Sequence, residues 1–155
     1  MSLRVLVAGL GNEYRSDDGA GPAVAAYVSS QMSSVDSKVI SEPLDLIGVW
    51  DDYDLAVVAD ATRSGSPPGT VQLVDLGAAE DADSSAGPMS SHGMDLPRVF
   101  RLAHAMGHAP HRVVVVGIEG ENFADGVGLS PAMALAVSEA GELVLQVIDE
   151  ANSCA

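Results

Sequence analysis

The 155-residue chain has one cysteine, Cys154, so it cannot form a disulfide within itself, as suits the reducing cytoplasm. Aromatic residues make up 4% of the chain, too few for a platform that stacks single-stranded bases. Lys38 is the only lysine, and acidic residues outnumber basic ones 22 to 7, giving a formal net charge of −15. This composition predicts a cytoplasmic protein that binds neither nucleic acid nor an anionic membrane surface.

Long apolar runs are also missing: no stretch approaches the ~20 apolar residues that cross a membrane. The apolar segment at 3–10 is followed by polar residues without a small-residue cleavage site, which favours a buried first strand over a signal peptide. Hydrophobic residues nevertheless make up 47% of the chain, enough for a core. We therefore expect one domain over 1–155, ending in a flexible tail at 151–155, that acts as a monomer.

Short β-branched runs alternate with longer amphipathic stretches along the chain. Strands are predicted at 3–10, 37–41, 55–60, 70–75 and 113–118. Helices are predicted at 20–32, 43–51, 95–106 and 131–150, the last one capped by the Ser130 hydroxyl. This alternation predicts an α/β fold with a mostly parallel sheet of about five strands and helices on both faces.

Polar residues follow the predicted strands where each strand ends. Asp18 comes after the first strand, Asp60 ends the third, and His92 lies in the long loop after the fourth; Glu119 and Glu121 follow the valine-rich strand. Ligands of parallel sheets bind outside the carboxyl ends of the strands, so Asp18, Asp60 and His92 can meet if the first, third and fourth strands are neighbours. Two carboxylates and an imidazole suit Zn, Ni, Mn or Fe.

Each of these residues also has a structural interpretation. Asp18 could cap the first helix, although Pro22 fits best within the first three helical positions and leaves Asp18 just outside them. Asp17 is expected to be a cap or a solvated residue. Asp60 could be a turn residue bonded to its own backbone, and His92 an exposed loop histidine.

The sequence contains two further candidate sites. One is a histidine group near the end of the helix at 95–106, which could hold a metal but is better read as helix-terminal residues favoured by the dipole: His104, His108 and His111. The other is Gly9-Leu10-Gly11, half of a dinucleotide fingerprint, with Glu42 as a possible ribose ligand; Tyr14 occupies the place of the third glycine. Cys154 lies in a polar tail and is not expected to be a nucleophile.

Blocks spread over the chain resemble the hydrogenase maturation proteases, the endopeptidases that trim the large subunit of nickel–iron hydrogenases. They are Val-Ala-Gly-Leu-Gly-Asn at 7–12, Ser-Asp-Asp-Gly-Ala-Gly-Pro at 16–22, Asp-Ala-Thr at 60–62 with Gly65 and Pro-Gly at 68–69, Ser-His at 91–92, Gly-Ile-Glu at 117–119 and Gly-Leu-Ser-Pro at 128–131. Their order matches that of the family. One departure is Arg63, whose charge we expect to pair with a carboxylate of the partner.

The resemblance implies a three-layer α/β/α sandwich and an aspartate-dependent peptidase that removes a C-terminal extension from the hydrogenase large-subunit precursor after nickel insertion. It assigns nickel contact to Asp18, Asp60 and His92, with the nickel supplied by the precursor and no organic cofactor. Either a carboxylate acts as general base or the metal lowers the pKa of water. A non-catalytic, nickel-dependent assembly chaperone and a nucleotide-binding redox domain are the alternatives.

Overall fold

The computed structural model describes residues 3–77 and 96–154. Among these residues five strands form one sheet in the order β2-β1-β3-β5-β4. The strands are β1 Val5–Leu10, β2 Asp36–Ile40, β3 Leu55–Thr62, β4 Val71–Gly77 and β5 Arg112–Glu119. The first three and β5 run parallel, whereas β4 pairs antiparallel with β5. The predicted α/β class with a mostly parallel sheet is confirmed.

Helices cover both faces of this sheet. They are α1 Ala20–Gln31, α2 Leu96–Ala105 and α3 Pro131–Ser153, with 3₁₀ helices at Ser16–Gly19 and Pro43–Gly48. Helices α1 and α3 pack on one face, and α2 and the second 3₁₀ helix pack on the other. The three layers follow from the strand sequences, because a strand that is apolar at every position needs cover on both sides.

Alternation along β3 shows how the two cores share one strand. Val57 and Ala59 face α1 and α3, whereas Ala56 and Val58 face α2. All eight residues of β3 are buried. On the α2 face, Trp50 and Phe100 pack edge to face with ring centroids 5.9 Å apart, which fixes α2 against the second 3₁₀ helix.

Helix α3 extends further than predicted. It continues to Ser153 because Ala151 packs into the core, so residues 151–153 belong to the helix and not to a flexible tail. By length and composition alone α3 could also cross a membrane, a possibility that the sequence analysis did not raise. Its inner stripe packs against the sheet and α1, as in the core helix of a globular fold: Met133, Ala136, Ala140, Val144 and Ile148.

Strand β4 corrects one premise of the sequence analysis. The first, third and fourth strands were assumed to be neighbours with a common direction, but β5 lies between β3 and β4. Because β4 is antiparallel, Val71 lies opposite Ile118 and Gly77 lies opposite Val113. We call the side of the sheet where β1, β3 and β5 finish the carboxyl end, and the opposite side the amino end. Strand β4 therefore finishes at the amino end.

Candidate functional site at the carboxyl end of the sheet

The beginning of α1 rests directly on the ends of two strands. A Cβ atom on Gly21 would lie 2.3 Å from the carbonyl oxygen of Leu10 and 2.4 Å from that of Ala59. Only glycine permits this approach, since real Cβ atoms do not come so close to backbone oxygens. The approach places the preceding 3₁₀ helix, Ser16–Gly19, at the carboxyl end of the sheet.

Asp18 lies in this 3₁₀ helix, and the turn after β1 is built around it. Gly11 has φ +143°, and a Cβ there would lie 2.0 Å from the carbonyl oxygen of Asp18. The Asn12 amide donates a 2.9 Å hydrogen bond to Asp18 Oδ2. Gly19 is the N-cap of α1, without a side-chain hydrogen bond, so the capping interpretation of Asp18 is wrong.

Asp60 belongs to the same end of the sheet. It lies two residues before the end of β3, opposite Leu10 of β1 and Gly117 of β5. Because β3 continues to Thr62, Asp60 is a strand residue and the turn interpretation is wrong. Alternation along the strand puts it on the face of Val58, which packs with α2. Asp18 and Asp60 are each 1% exposed.

The third predicted ligand, His92, lies outside the described residues 3–77 and 96–154. The following helix, α2, begins with the buried Leu96, which belongs to the same core cluster as Leu10 and Val58. The joint role of Asp18, Asp60 and His92 stays a prediction. Within the described part of the chain, no group of three His, Cys, Asp or Glu side chains is placed to hold a metal ion.

Asp17 is a residue whose place the sequence analysis missed. It is 0% exposed and accepts four hydrogen bonds, so neither the cap nor the solvated role holds. The donors are the Ser130 amide at 2.7 Å, the Ser130 hydroxyl at 2.9 Å, and the amides of Glu121 and Asn122 at 2.8 and 3.0 Å. Ser130 is the N-cap residue of α3, yet its hydroxyl binds Asp17 and does not cap the helix as predicted.

These bonds also set the charge state of Asp17. Burial acts to raise the pKa of its carboxyl, but the hydrogen bonds from Ser130, Glu121 and Asn122 outweigh burial and hold the pKa below its ordinary value. The ionised carboxylate thus joins three segments of chain: the 3₁₀ helix, the loop after β5 and the start of α3. Nothing local in the sequence signals this role, because Asp17 and Ser130 are 113 residues apart.

Glu119 does similar work at the end of β5. It is 5% exposed and accepts hydrogen bonds from the Thr62 hydroxyl at 3.2 Å and from the Ser64 amide and hydroxyl at 3.0 and 2.6 Å. Glu119 therefore holds the connection between β3 and β4 over the end of β5. Four carboxylates of the described residues are buried at this end of the sheet: Asp17, Asp18, Asp60 and Glu119.

The histidine group does not form a rival site. Gly107, with φ +78°, ends α2, and the amides of Gly107 and His108 bond back to His104 and Ala103. His104 lies in the last turn, and His108 Nδ1 is 2.9 Å from Asp51 Oδ2. His104 and His108 are helix-terminal residues, as the preferred interpretation had them, whereas His111 lies directly before β5 and its amide donates to the carbonyl of Tyr53.

The glycines of the half fingerprint, Gly9 in β1 and Gly11 after it, do not leave room for a dinucleotide. A Cβ on Gly9 would lie 2.5 Å from the carbonyl oxygen of Gly21, and one on Gly11 would meet that of Asp18. Protein backbone thus fills the space that a phosphate-binding turn keeps open. The structure does not support the nucleotide-binding alternative.

Comparison with known proteins adds the family. Residues 41–147 match the family model described as hydrogenase maturation protease. The chain belongs to that family. The family model, one curated relative and one solved structure carry the name of a protease or endopeptidase, so the predicted enzyme class, a hydrolase of the peptidase type, is confirmed.

Two curated relatives and one solved structure illustrate the similarity. The chain is 30% identical over 130 residues to the hydrogenase expression/formation protein HupD of Rhizobium leguminosarum bv. viciae, covering 79% of this chain but only 62% of the relative. It is 25% identical over 158 residues to the hydrogenase 2 maturation protease of Escherichia coli K12, covering 97% and 93%. The structure of the E. coli hydrogenase maturating endopeptidase HybD superposes with a TM-score of 0.76 at 24% identity, covering 96% and 93%, and shares the fold.

Proposed function

We propose that the protein is an endopeptidase that removes the C-terminal extension of a nickel–iron hydrogenase large-subunit precursor after nickel insertion. The substrate's nickel serves as the recognition element, contacted by Asp18, Asp60 and His92. The observation that supports this proposal is the burial of two carboxylates, from separate segments, at the carboxyl end of adjacent strands β1 and β3. We further propose that it acts as a cytoplasmic monomer.

The donor set suits the proposed substrate. Carboxylate oxygens and imidazole nitrogen are ligands that bind Ni²⁺ among other first-row metals. Nickel that is incompletely coordinated in the precursor has positions open for these groups. Binding it places one peptide bond of the precursor beside the carboxylates, and this orientation supplies much of the rate gain.

Hydrolysis adds water across that bond. The attacking water gives a proton to a carboxylate, Asp18 or Asp60, that acts as general base; alternatively, contact with the substrate's nickel lowers the pKa of the water, which then gives its proton to solvent. The scissile C–N bond then breaks and the departing amine takes up a proton. Removal of the extension lets the final cysteine of the precursor close onto its metal centre, which changes the ligand set and releases the protease.

Burial sets a condition on this reaction. Asp18 and Asp60 are each 1% exposed, so nickel contact requires the chain around them to be displaced when the precursor docks. The chain's formal net charge of −15 favours the approach of a cationic metal centre.

The variants Asp18→Asn, Asp60→Asn and His92→Gln test the assignment. Each is expected to fold and to lower the rate of processing of nickel-loaded precursor by roughly 100-fold or more, because a metal contact or a proton acceptor is lost. Asp75→Asn, the same chemical change at the amino end, is the matched control and should process normally. Mass spectrometry of the precursor measures the loss of its extension. Normal cleavage by all three variants would reject the assignment.

Two further measurements separate this function from that of an assembly chaperone. Metal-free precursor should remain uncut by the wild-type protein, because the recognition element is missing. Nickel-loaded precursor should lose the mass of its extension. Promotion of hydrogenase assembly with no change in precursor mass would identify a chaperone and overturn the protease proposal.

A further inference from the structure

Arg63 lies beside a cleft at the carboxyl end of the sheet. It follows the last residue of β3 and comes three residues after Asp60, and its side chain is exposed. It lines an open cleft of ≈ 460 Å³ together with Glu119 and the loop 120–124. Arg63, which departs from the family pattern, thus lies at the carboxyl end of the sheet.

Phe123 holds the guanidinium of Arg63 in place. The Arg63 Cζ atom lies 4.1 Å from the centroid of the Phe123 ring, a cation–π contact. The ring is itself held in place, because it packs against the core between the sheet, α1 and α3. It also lies so close to Gly120 that a Cβ atom there would be 2.4 Å from its Cζ atom. Stacking on one face of the planar guanidinium leaves the N–H groups at its rim free to bind a carboxylate in two places.

Arg63 carries a charge that the described part of the chain leaves without an ion pair. Glu119 lines the same cleft, but its oxygens accept hydrogen bonds from Thr62 and Ser64. By contrast, Arg112 at the amino end is paired with Asp75.

We propose that Arg63 is a specificity-determining residue that binds a carboxylate of the precursor segment entering the cleft. This inference rests on the proposed function, since it names the group that the same site reads. A chain with a net charge of −15 repels anions in general, and the guanidinium of Arg63, held over Phe123 beside the cleft, gives a carboxylate a favourable place to dock. The carboxylate is either an acidic side chain or the free C-terminus of the extension.

The enzyme side of the test uses three variants. Arg63→Gln should raise the KM for nickel-loaded precursor about tenfold and keep kcat within about twofold, because the lost contact binds ground state and transition state alike. The KM of Arg63→Lys should lie between those of the wild type and Arg63→Gln, since lysine keeps the charge but lacks the planar guanidinium. Arg4→Gln is the matched control: Arg4 also lies over an aromatic ring, 5.3 Å from the centroid of Tyr53, but at the amino end. It should leave both constants unchanged.

The substrate side identifies the carboxylate. Acidic side chains of the extension are changed to amides one at a time, and in a separate arm the C-terminus is amidated. Removing the carboxylate that Arg63 binds should raise the wild-type KM about tenfold and add nothing further in Arg63→Gln, because the pair contributes once. If every loss adds to that of Arg63→Gln, or if Arg63→Gln changes KM less than about twofold, the proposal is overturned.

A binding measurement distinguishes this failure from failure of the protease function. The labelled extension peptide is titrated with wild type and Arg63→Gln, and Kd is read from fluorescence anisotropy. If the wild type does not cleave precursor but Arg63→Gln weakens peptide binding about tenfold, the protease function fails and the role of Arg63 stands. If cleavage occurs and neither KM nor Kd depends on Arg63, the protease function stands and the role of Arg63 fails.

Discussion

The two ends of the sheet treat acidic residues in opposite ways. At the carboxyl end, Asp17 and Glu119 are buried and accept hydrogen bonds from backbone amides and hydroxyls, which carry no charge. At the amino end, three exposed acids instead have side-chain partners: Asp75 with Arg112, Asp51 with His108, and Asp36 with Tyr53. Among the described residues, Asp17 and Glu119 thus keep uncharged donors where the strands finish, whereas Asp75 has a cation as its partner.

This difference affects the electrostatic field at each end of the sheet. Buried anions held by neutral donors keep their negative field, whereas an anion paired with a cation loses most of it. Among the described residues, Asp17 at the carboxyl end therefore keeps a negative field that Asp75 at the amino end largely loses to Arg112. The structure of the carboxyl end depends on backbone amides in fixed positions, so substitutions there should destabilise the protein more than substitutions at the amino end.

The largest effect is expected where α1 meets the strands. Gly21→Ala puts a methyl group 2.3 and 2.4 Å from two strand carbonyl oxygens, and backbone on both sides cannot yield cheaply. We expect a loss of more than about 3 kcal/mol in the free energy of unfolding, or no folded protein. At the amino end, Gly107→Ala has nothing within 4 Å of the new atom and costs only its φ of +78°, about 1 kcal/mol. Urea denaturation of both variants measures the contrast, and equal losses would break it.

A smaller effect is expected from Asp17→Asn. The amide keeps the size of the side chain but turns donors toward the groups that donate to Asp17. We expect a loss of about 2–3 kcal/mol at neutral pH, because these hydrogen bonds to an ionised group are buried. The folded-state pKa of Asp17 is lowered, so its contribution is complete above the unfolded value of 3.8 and declines as the pH falls through the folded pKa below that.

The difference between wild type and Asp17→Asn, measured by urea denaturation at a series of pH values, should be constant from pH 7 to about 5 and narrow below 3.8. A difference that instead grows on acidification would mean that the pKa of Asp17 is raised. Unchanged stability at pH 7 would show that the loop after β5 and the start of α3 do not depend on this carboxylate.

Local patterns account for what the sequence predicted well. Strand and helix positions agree within a few residues, because apolar periodicity and signals such as Ser130-Pro131 are local. The shared end of Asp18 and Asp60 was predicted from strand ends, since both β1 and β3 run the same way. What failed was non-local: the antiparallel direction of β4, and the bonds from Asp17 to residues more than a hundred positions away. No spacing within a segment encodes either one.

The smallest effect is expected at the amino end, in the pair of Asp75 and Arg112. Their side chains are 48% and 41% exposed, so water and salt screen the interaction. The hydrogen bond from Arg112 lowers the pKa of Asp75, so the little stability it contributes is lost as the pH falls through that lowered pKa. Asp75→Asn should cost less than about 1 kcal/mol, and the cost should shrink further in 1 M salt. Urea denaturation at low and high salt measures it; a loss above about 2 kcal/mol would mean that the exposed acids of the amino end are as structural as the buried ones of the carboxyl end.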